Sequence, residues 1–395
     1  MHRLFRLEAE GEAASNGGGR ILEFLSGRPV SRRALGLGVS SLLGAATVAK
    51  PEKRDPKTSS LSKRANDFLA AKVKDQKFMG VALLAIDGRV VFEKAYGCGD
   101  LEWDAPHTSQ SVFRLGSLSK PFTAAAVALL AQKGALKTED PIAKYVQDLP
   151  KSWKGVTLHQ LLTHSSGVPN YTSQPGFWRE VVMHPSTPQE LVSLVRNQPL
   201  DFEPGRHWGF SNTNYILLGM VIEQVTKQKY ADYLRQAVFD PMDMKNSGYD
   251  DASVILKRRA RGYSISPHGL VNATYVDMSV PYSAGGLYST ARDLLRFDQA
   301  LYSDQLLNAN WRERVFSAHV LTTVDNSSHG YGWFISRDKG WLQHTHEGGF
   351  PGFSTMLARY PEVHSSIILL SNLSTPEIAK IASSLAEILL PPKSV

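Results

Sequence analysis

The stretch Phe113-Arg-Leu-Gly-Ser-Leu-Ser-Lys-Pro-Phe122 runs directly into Thr123-Ala-Ala-Ala-Val-Ala-Leu-Leu-Ala-Gln-Lys133. The second half is strong helix-forming sequence with almost no charge, which predicts a buried helix. Pro121 fits only the first turn, because a proline deeper in removes a hydrogen bond. The helix is therefore expected to start near Ser117. Lys120 lies three residues after Ser117, and positions i and i+3 share one helix face. A serine hydroxyl is a weak nucleophile until a neighbour takes its proton, and a desolvated lysine with a depressed pKa can do that. Amides at a helix start also favour negative charge there. The plainer alternative is a serine N-cap beside a solvated lysine.

Ser-x-x-Lys occurs twice more in the chain. Ser60 to Lys63 lies in a charged, Ser/Lys-rich stretch that reads as linker or helix start. Ser336-Arg-Asp-Lys-Gly340 reads as a β-turn between strands, since Asp, Lys and Gly form turns.

Outward from the helix, Phe78-Met-Gly-Val-Ala-Leu-Leu-Ala-Ile86 reads as a buried strand. Asp87-Gly88 signals a hairpin, with Val90 to Tyr96 returning. Ala65 to Lys77 has helical spacing. The middle, about 140–285, shows helical patches at His159–Thr163 and Tyr215–Thr226 between Pro and Gly loops. Beyond it, Gly330–Ile335, Trp341–His346, Ser354–Tyr360 and Ser365–Leu370 are strand-like, and Pro376–Leu390 is an amphipathic helix. The order predicts an α/β (α+β) fold. One antiparallel sheet is built from both chain ends and flanked by helices. A mainly helical subdomain is inserted at about 140–285, and the cleft between the two is the natural site.

The 395 residues are 42% hydrophobic and 21% charged, an ordinary globular balance. The net charge of +7 is spread thinly, and Lys257-Arg-Arg-Ala-Arg261 is the only dense basic cluster. It reads as a solvated face, and with no reader motif the chain is not expected to bind nucleic acid. The single cysteine, Cys98, excludes an intramolecular disulfide and a cysteine-based metal site. No histidine spacing suggests a metal helix, so no metal is expected. Paired arginines in Ser31-Arg-Arg-Ala34 lead into an apolar run ending at Ala49. That run is shorter than the roughly 20 residues needed to span a bilayer. It resembles a twin-arginine export signal with cleavage near Ala46 or Ala49. Residues 1–49 are thus expected to be removed, 50–64 to be a linker, and 65–395 to be the working domain. The mature protein is then periplasmic or extracellular and bacterial, with no stable transmembrane span. Residues 1–30 are long for a region ahead of the arginines, so a start downstream of Met1 is also expected.

Acyl transfer from a serine requires donors at the developing oxyanion and groups that carry a proton to the leaving group. His207-Trp-Gly-Phe-Ser-Asn-Thr-Asn-Tyr215 precedes a helix. Ser211 and Asn212 there read either as caps, worth about 1 kcal/mol, or as a site in which Asn212 bonds Lys120 and a substrate amide. His344-Thr-His-Glu-Gly-Gly-Phe-Pro-Gly-Phe-Ser354 reads either as a glycine-rich hairpin with two exposed histidines or as a strand edge close to a ligand. In the second case the amide of Gly349 joins that of Ser117 as an oxyanion hole.

Together these segments resemble the serine β-lactamase and penicillin-binding protein superfamily, in its class C-like branch of D-alanyl-D-alanine carboxypeptidases and serine esterases. Arg114-Leu-Gly-Ser-Leu-Ser-Lys120 looks like the nucleophile motif. Leu161-Leu-Thr-His-Ser-Ser-Gly-Val-Pro169 and Ala284-Gly-Gly-Leu-Tyr-Ser-Thr-Ala-Arg-Asp293 match characteristic stretches. Phe210-Ser-Asn212 falls at the second motif and His346-Glu-Gly348 at the third. The resemblance implies Ser117 as acylated nucleophile and Lys120 as its base. It places Phe210, Asn212, His346 and Gly348 at the substrate, with an oxyanion hole from the amides of Ser117 and Gly349. It implies no cofactor. The substrate is then a small-molecule ester, amide or peptide, and the oligomeric state is left open. The second motif normally begins with tyrosine, whose hydroxyl relays protons. Phe210 lacks that oxygen, which favours ester over amide substrates. It also raises an alternative: an impaired member that binds cell-wall peptides or a partner protein without turnover. Trp178, Tyr171, Trp208 and Phe350 are candidates for an apolar acyl pocket.

Overall fold

The computed structural model describes residues 56–324 and 326–393. The expected export signal and residues 50–55 of the expected linker lie outside them. Residues 56–64 are helical rather than linker: helix α1 spans Pro56–Lys74. Proline fits a first turn, and Ala65 and Leu69 further along bury against the body of the protein, so the helix extends through the charged stretch.

Eight strands form one antiparallel sheet. They are β1 Gly80–Ile86, β2 Arg89–Tyr96, β3 Val320–Leu321, β4 Ser328–His329, β5 Phe334–Asp338, β6 Trp341–Phe350, β7 Phe353–Tyr360 and β8 Ser365–Ser371. Their order is β3-β4-β5-β6-β7-β8-β1-β2, so the two chain ends meet where β1 pairs β8, from Gly80↔Ser371 to Ile86↔Ser365. The sheet drawn from both ends was the sequence expectation. The strand expected from Gly330 begins only at Phe334, and the one expected to stop at His346 continues to Phe350.

β1 reads as a continuous apolar run because both sheet faces are covered. Val81, Leu83 and Ala85 join one core, together with the apolar residues of helix α2, Lys120–Gln132. Ala82 and Leu84 point to the opposite face, where Ala65 and Leu69 of α1 meet Ile381 and Leu385 of the C-terminal helix Ile378–Leu389. Between α2 and β3 the chain forms mostly short helices. The long one is α3, Asn212–Thr226, and a small hairpin pairs Tyr263–Ser266 with Gly269–Asn272. Among the described residues no helix is long and apolar enough to cross a membrane. None of their His, Cys, Asp and Glu side chains form a group of three suited to a metal ion.

Candidate active site

Ser117 sits in a 3-10 turn, Gly116–Ser119, that leads straight into α2. From Leu115 to Leu130 it is the one residue that is not buried. Pro121 occupies the first turn of α2, as expected. The i, i+3 spacing brings Lys120 Nζ to 2.9 Å from Ser117 Oγ.

Lys120 is fully buried and makes two further bonds from the same nitrogen, to Asn212 Oδ1 at 2.9 Å and to the Ala284 carbonyl at 2.9 Å. Burial brings its pKa down to about 7. Both of those partners can only accept hydrogen bonds. They therefore hold two of the lysine's hydrogens, and the third position on nitrogen faces Ser117. In the neutral amine that position is the lone pair, which is the geometry of a base aimed at a hydroxyl. The solvated-lysine alternative does not hold in the fold.

Asn212 opens α3 and is locked from both sides. Its backbone N–H donates to Asn170 Oδ1 at 3.0 Å, and its Nδ2 donates to Thr172 Oγ1 at 3.2 Å. With Nδ2 so engaged, Oδ1 turns to the lysine. Ser211 is the N-cap residue but makes no side-chain cap; its hydroxyl donates to the Pro169 carbonyl at 3.3 Å. Ala284 lies in the short turn Tyr282–Gly285, which Tyr282 enters with φ 37°, in the left-handed region. Sequence reasoning missed Ala284, Asn170 and Thr172.

The opposite wall is β6. Pairing with β5 ends at Phe334↔Thr345, which leaves residues 346–350 open on that edge. The segment Leu115–Ser117 fills the gap. A Cβ on Gly348 would lie 1.9 Å from the Leu115 carbonyl oxygen, which also accepts from Thr355 Oγ1 at 2.8 Å. Gly116, at φ 55°, is also close: a Cβ there would be 2.9 Å from the Gly349 carbonyl oxygen. These glycines let the nucleophile turn lie against the strand. Ser117, Asn212 and Gly349 all line one cavity, with Tyr171, Trp178 and Phe350 among its apolar walls. Trp208 is not in that lining; it packs against His164, His329 and Phe334.

Phe210, His346 and Gly348 are also outside the lining. The Phe210 ring centre is 4.9 Å from Lys120 Nζ, and the ring tilts onto His164 at 4.9 Å. Tyr215 is the other ring near the lysine, at 5.6 Å, but its hydroxyl donates to the Leu162 carbonyl at 3.0 Å. It does not replace the missing phenol. His344 and His346 were candidates for exposed hairpin residues, and both are buried. The strand runs through them with a covered face, which a glycine-based reading of the segment overlooks. His346 Nδ1 donates to the Glu347 carbonyl at 2.7 Å, and burial holds its pKa well below the usual range. It is a buried neutral ring outside the cavity lining. His164 and His329 are likewise fully buried and neutral, with pKa lowered chiefly by burial.

The family model described as Beta-lactamase matches residues 65–388. Penicillin-binding protein 4* of Bacillus subtilis is 33% identical over 313 residues, 75% of this chain and 68% of that protein. The penicillin-binding protein from Bacillus halodurans superposes with a TM-score of 0.73 at 28% identity, covering 82% of this chain and 99% of the other. A D-amino acid amidase from Ochrobactrum anthropi SV3, complexed with D-phenylalanine, superposes with a TM-score of 0.73 at 25% identity. It covers 85% of this chain and 99% of the amidase.

Proposed function

We propose that this chain, which belongs to the Beta-lactamase family, is an exported serine hydrolase that forms an acyl-enzyme at Ser117 on esters and small amides. The observation that carries the reading is the buried Lys120, with a pKa near 7 and its nitrogen 2.9 Å from Ser117 Oγ. Neutral Lys120 takes the Ser117 proton as Oγ bonds to the substrate carbonyl carbon. The oxyanion forms at the amides of Ser117 and Gly349. As the tetrahedral species collapses, the Lys120 ammonium returns the proton to the departing alcohol or amine. Water then attacks the acyl-enzyme, gives a proton to Lys120, and Ser117 Oγ recovers it. No cofactor enters the scheme.

Phe210 tilts the balance toward esters. An amine leaves only after protonation, and the ring beside Lys120 has no oxygen to relay it. Positioned acid–base groups typically contribute 10²- to 10⁴-fold. A phenolate or other good leaving group needs little of that help. The same residue motivates the second reading, a binder without turnover. Export is supported by Arg32, Arg33 and the apolar run to Ala49.

Labelling with a fluorophosphonate, followed by mass spectrometry, tests the reaction. The expected adduct sits on Ser117 and disappears in Ser117→Ala, together with hydrolysis of an activated ester. Wild type that labels no better than the variant rejects the hydrolase and favours the binder. N-terminal sequencing of secreted protein tests export, and an intact Met1 there rules out cleavage.

A further inference from the structure

The cavity over Ser117 has two unlike ends. At one end the polar groups converge: Ser117 Oγ, Asn212, Thr172 and the backbone of Gly349. The rest of the wall is apolar. Tyr171, Phe177 and Trp178 form a ladder of edge-to-face rings, with centres 5.3 and 5.2 Å apart. Val276 and Val280 also line the cavity. The Tyr171 hydroxyl adds no polarity, because it donates to the Val280 carbonyl at 2.8 Å. Trp178 lines the cavity yet remains 41% exposed, and Met183 and Tyr275, next in sequence to the lining residues Val182 and Val276, are also exposed. The two segments are tied where the Asp277 N–H donates to the Val182 carbonyl at 2.9 Å.

No charged side chain lines the cavity among the described residues. Of the charged groups near it, Arg114 and Asp277 are engaged by other partners. Arg114, beside the Phe350 ring, bonds Asp250 at 2.7 Å. Asp277 accepts from Ser279 Oγ at 2.6 Å. Arg179 is exposed on the turn that carries Trp178. His346 is buried with its Nδ1 on a carbonyl, and Lys120 lies under Ser117 with its hydrogens held by Asn212 Oδ1 and the Ala284 carbonyl.

From this lining we infer that the site takes an uncharged substrate bearing an aromatic or branched aliphatic substituent, and discriminates against substrates carrying a free carboxylate. The inference rests on the reading of Ser117 as the reacting residue, since it names the substrate class of that site. An apolar wall rewards a ring or branched chain by surface burial. A carboxylate brought into the same cavity loses water and finds no cationic side chain in the lining. Trp178 is the specificity-determining residue, because it is the one exposed ring of the ladder, open to an entering substituent.

The test uses Ser117→Ala, so binding is read without turnover, and two matched ligands, N-phenylacetylglycinamide and its free acid N-phenylacetylglycine. Affinities come from calorimetric titration. The amide is expected to bind roughly tenfold tighter or more, the penalty for an unpaired carboxylate. Adding Trp178→Ala is expected to weaken the phenylacetyl amide roughly five- to tenfold and leave N-acetylglycinamide unchanged. Equal affinities, tighter binding of the acid, or no binding of either ligand overturns the inference. Tighter binding of the acid that vanishes in Arg179→Ala overturns it and identifies the cation responsible. Fluorophosphonate labelling of wild type is scored separately. A labelled Ser117 with no preference for the neutral ligand rejects this inference alone. An unlabelled Ser117 with the preference intact rejects only the proposed reaction.

Discussion

Replacing Lys120 with methionine changes how stability depends on pH, and the change can be worked out from burial alone. The side chain has no exposed surface, and its pKa falls from an ordinary 10.5 to about 7. Between those values the unfolded chain holds a proton that the folded lysine has released. Unfolding therefore becomes harder as pH rises through this window, by about 1.4 kcal/mol per pH unit once the folded lysine is neutral. Integrated from pH 7 to pH 9, where the folded group passes from half to almost fully deprotonated, the gain is about 2 kcal/mol. For a domain of this size that corresponds to roughly 3 °C in Tm. Lys120→Met removes the titration and keeps most of the volume. It also strips hydrogen bonds from Asn212 Oδ1 and the Ala284 carbonyl, a loss that is independent of pH and cancels from the difference. The assay is denaturant unfolding of wild type and variant at pH 7 and pH 9. Wild type should gain about 2 kcal/mol on the variant between the two. Parallel stability curves would refute the argument, because they would mean that the lysine is charged throughout.

The same pKa sets the activity profile: ester kcat/KM for wild type should rise as pH increases through about 7 and then level, and a flat profile from pH 5.5 to 8.5 excludes Lys120 as the base. Phe210→Tyr places a hydroxyl near the lysine, so amide hydrolysis should increase by roughly 10- to 100-fold while hydrolysis of an activated ester changes little; an unchanged amide rate means that the missing oxygen is not what limits the site. His329 is fully buried with its pKa lowered to about 3, so wild type loses stability as pH drops below the ordinary histidine range. His329→Phe should reduce the loss between pH 7 and pH 5 by about 2 kcal/mol, read from unfolding midpoints, and an identical loss in both proteins refutes it. A chromogenic cephalosporin should act as a slow inhibitor rather than a substrate, and rapid clearance by purified protein contradicts this.

What the sequence made legible, and what it hid, divides along a physical line. Local rules carried the strands and the nucleophile turn. Gly80–Ile86 is apolar at every position because both sheet faces are covered, and Asp87-Gly88 has the positive φ values, 50° and 70°, that a tight hairpin takes. Pro121 marked the start of α2 because only a first turn accepts it. Charge misled at Pro56–Arg64, where a lysine-rich surface concealed a helix whose buried residues come later in it. Glycine left two readings open at 348–349, a hairpin or a strand edge: the strand reading holds, and Gly348 and Gly349 continue β6 because the vacated edge must admit Leu115 at a separation no side chain permits.

The partners of Lys120 explain why a motif alone cannot establish a base. Ser117 is three residues away and visible in the sequence. Asn212 is 92 residues away, and its orientation is fixed by Asn170 and Thr172, which carry no signature of their own. Ala284 contributes a backbone carbonyl, which every residue type possesses, from 164 residues away. Ser60 and Lys63 have the same spacing as Ser117 and Lys120, but Lys63 is exposed, bonds Asp67 at 2.8 Å, and has its pKa raised by that bond. One spacing thus yields lysines shifted in opposite directions. Desolvation decides the outcome, and it is set by the complete burial of Lys120 in the packed fold. The spacing brings serine and lysine within reach; only the packed fold makes the lysine a base.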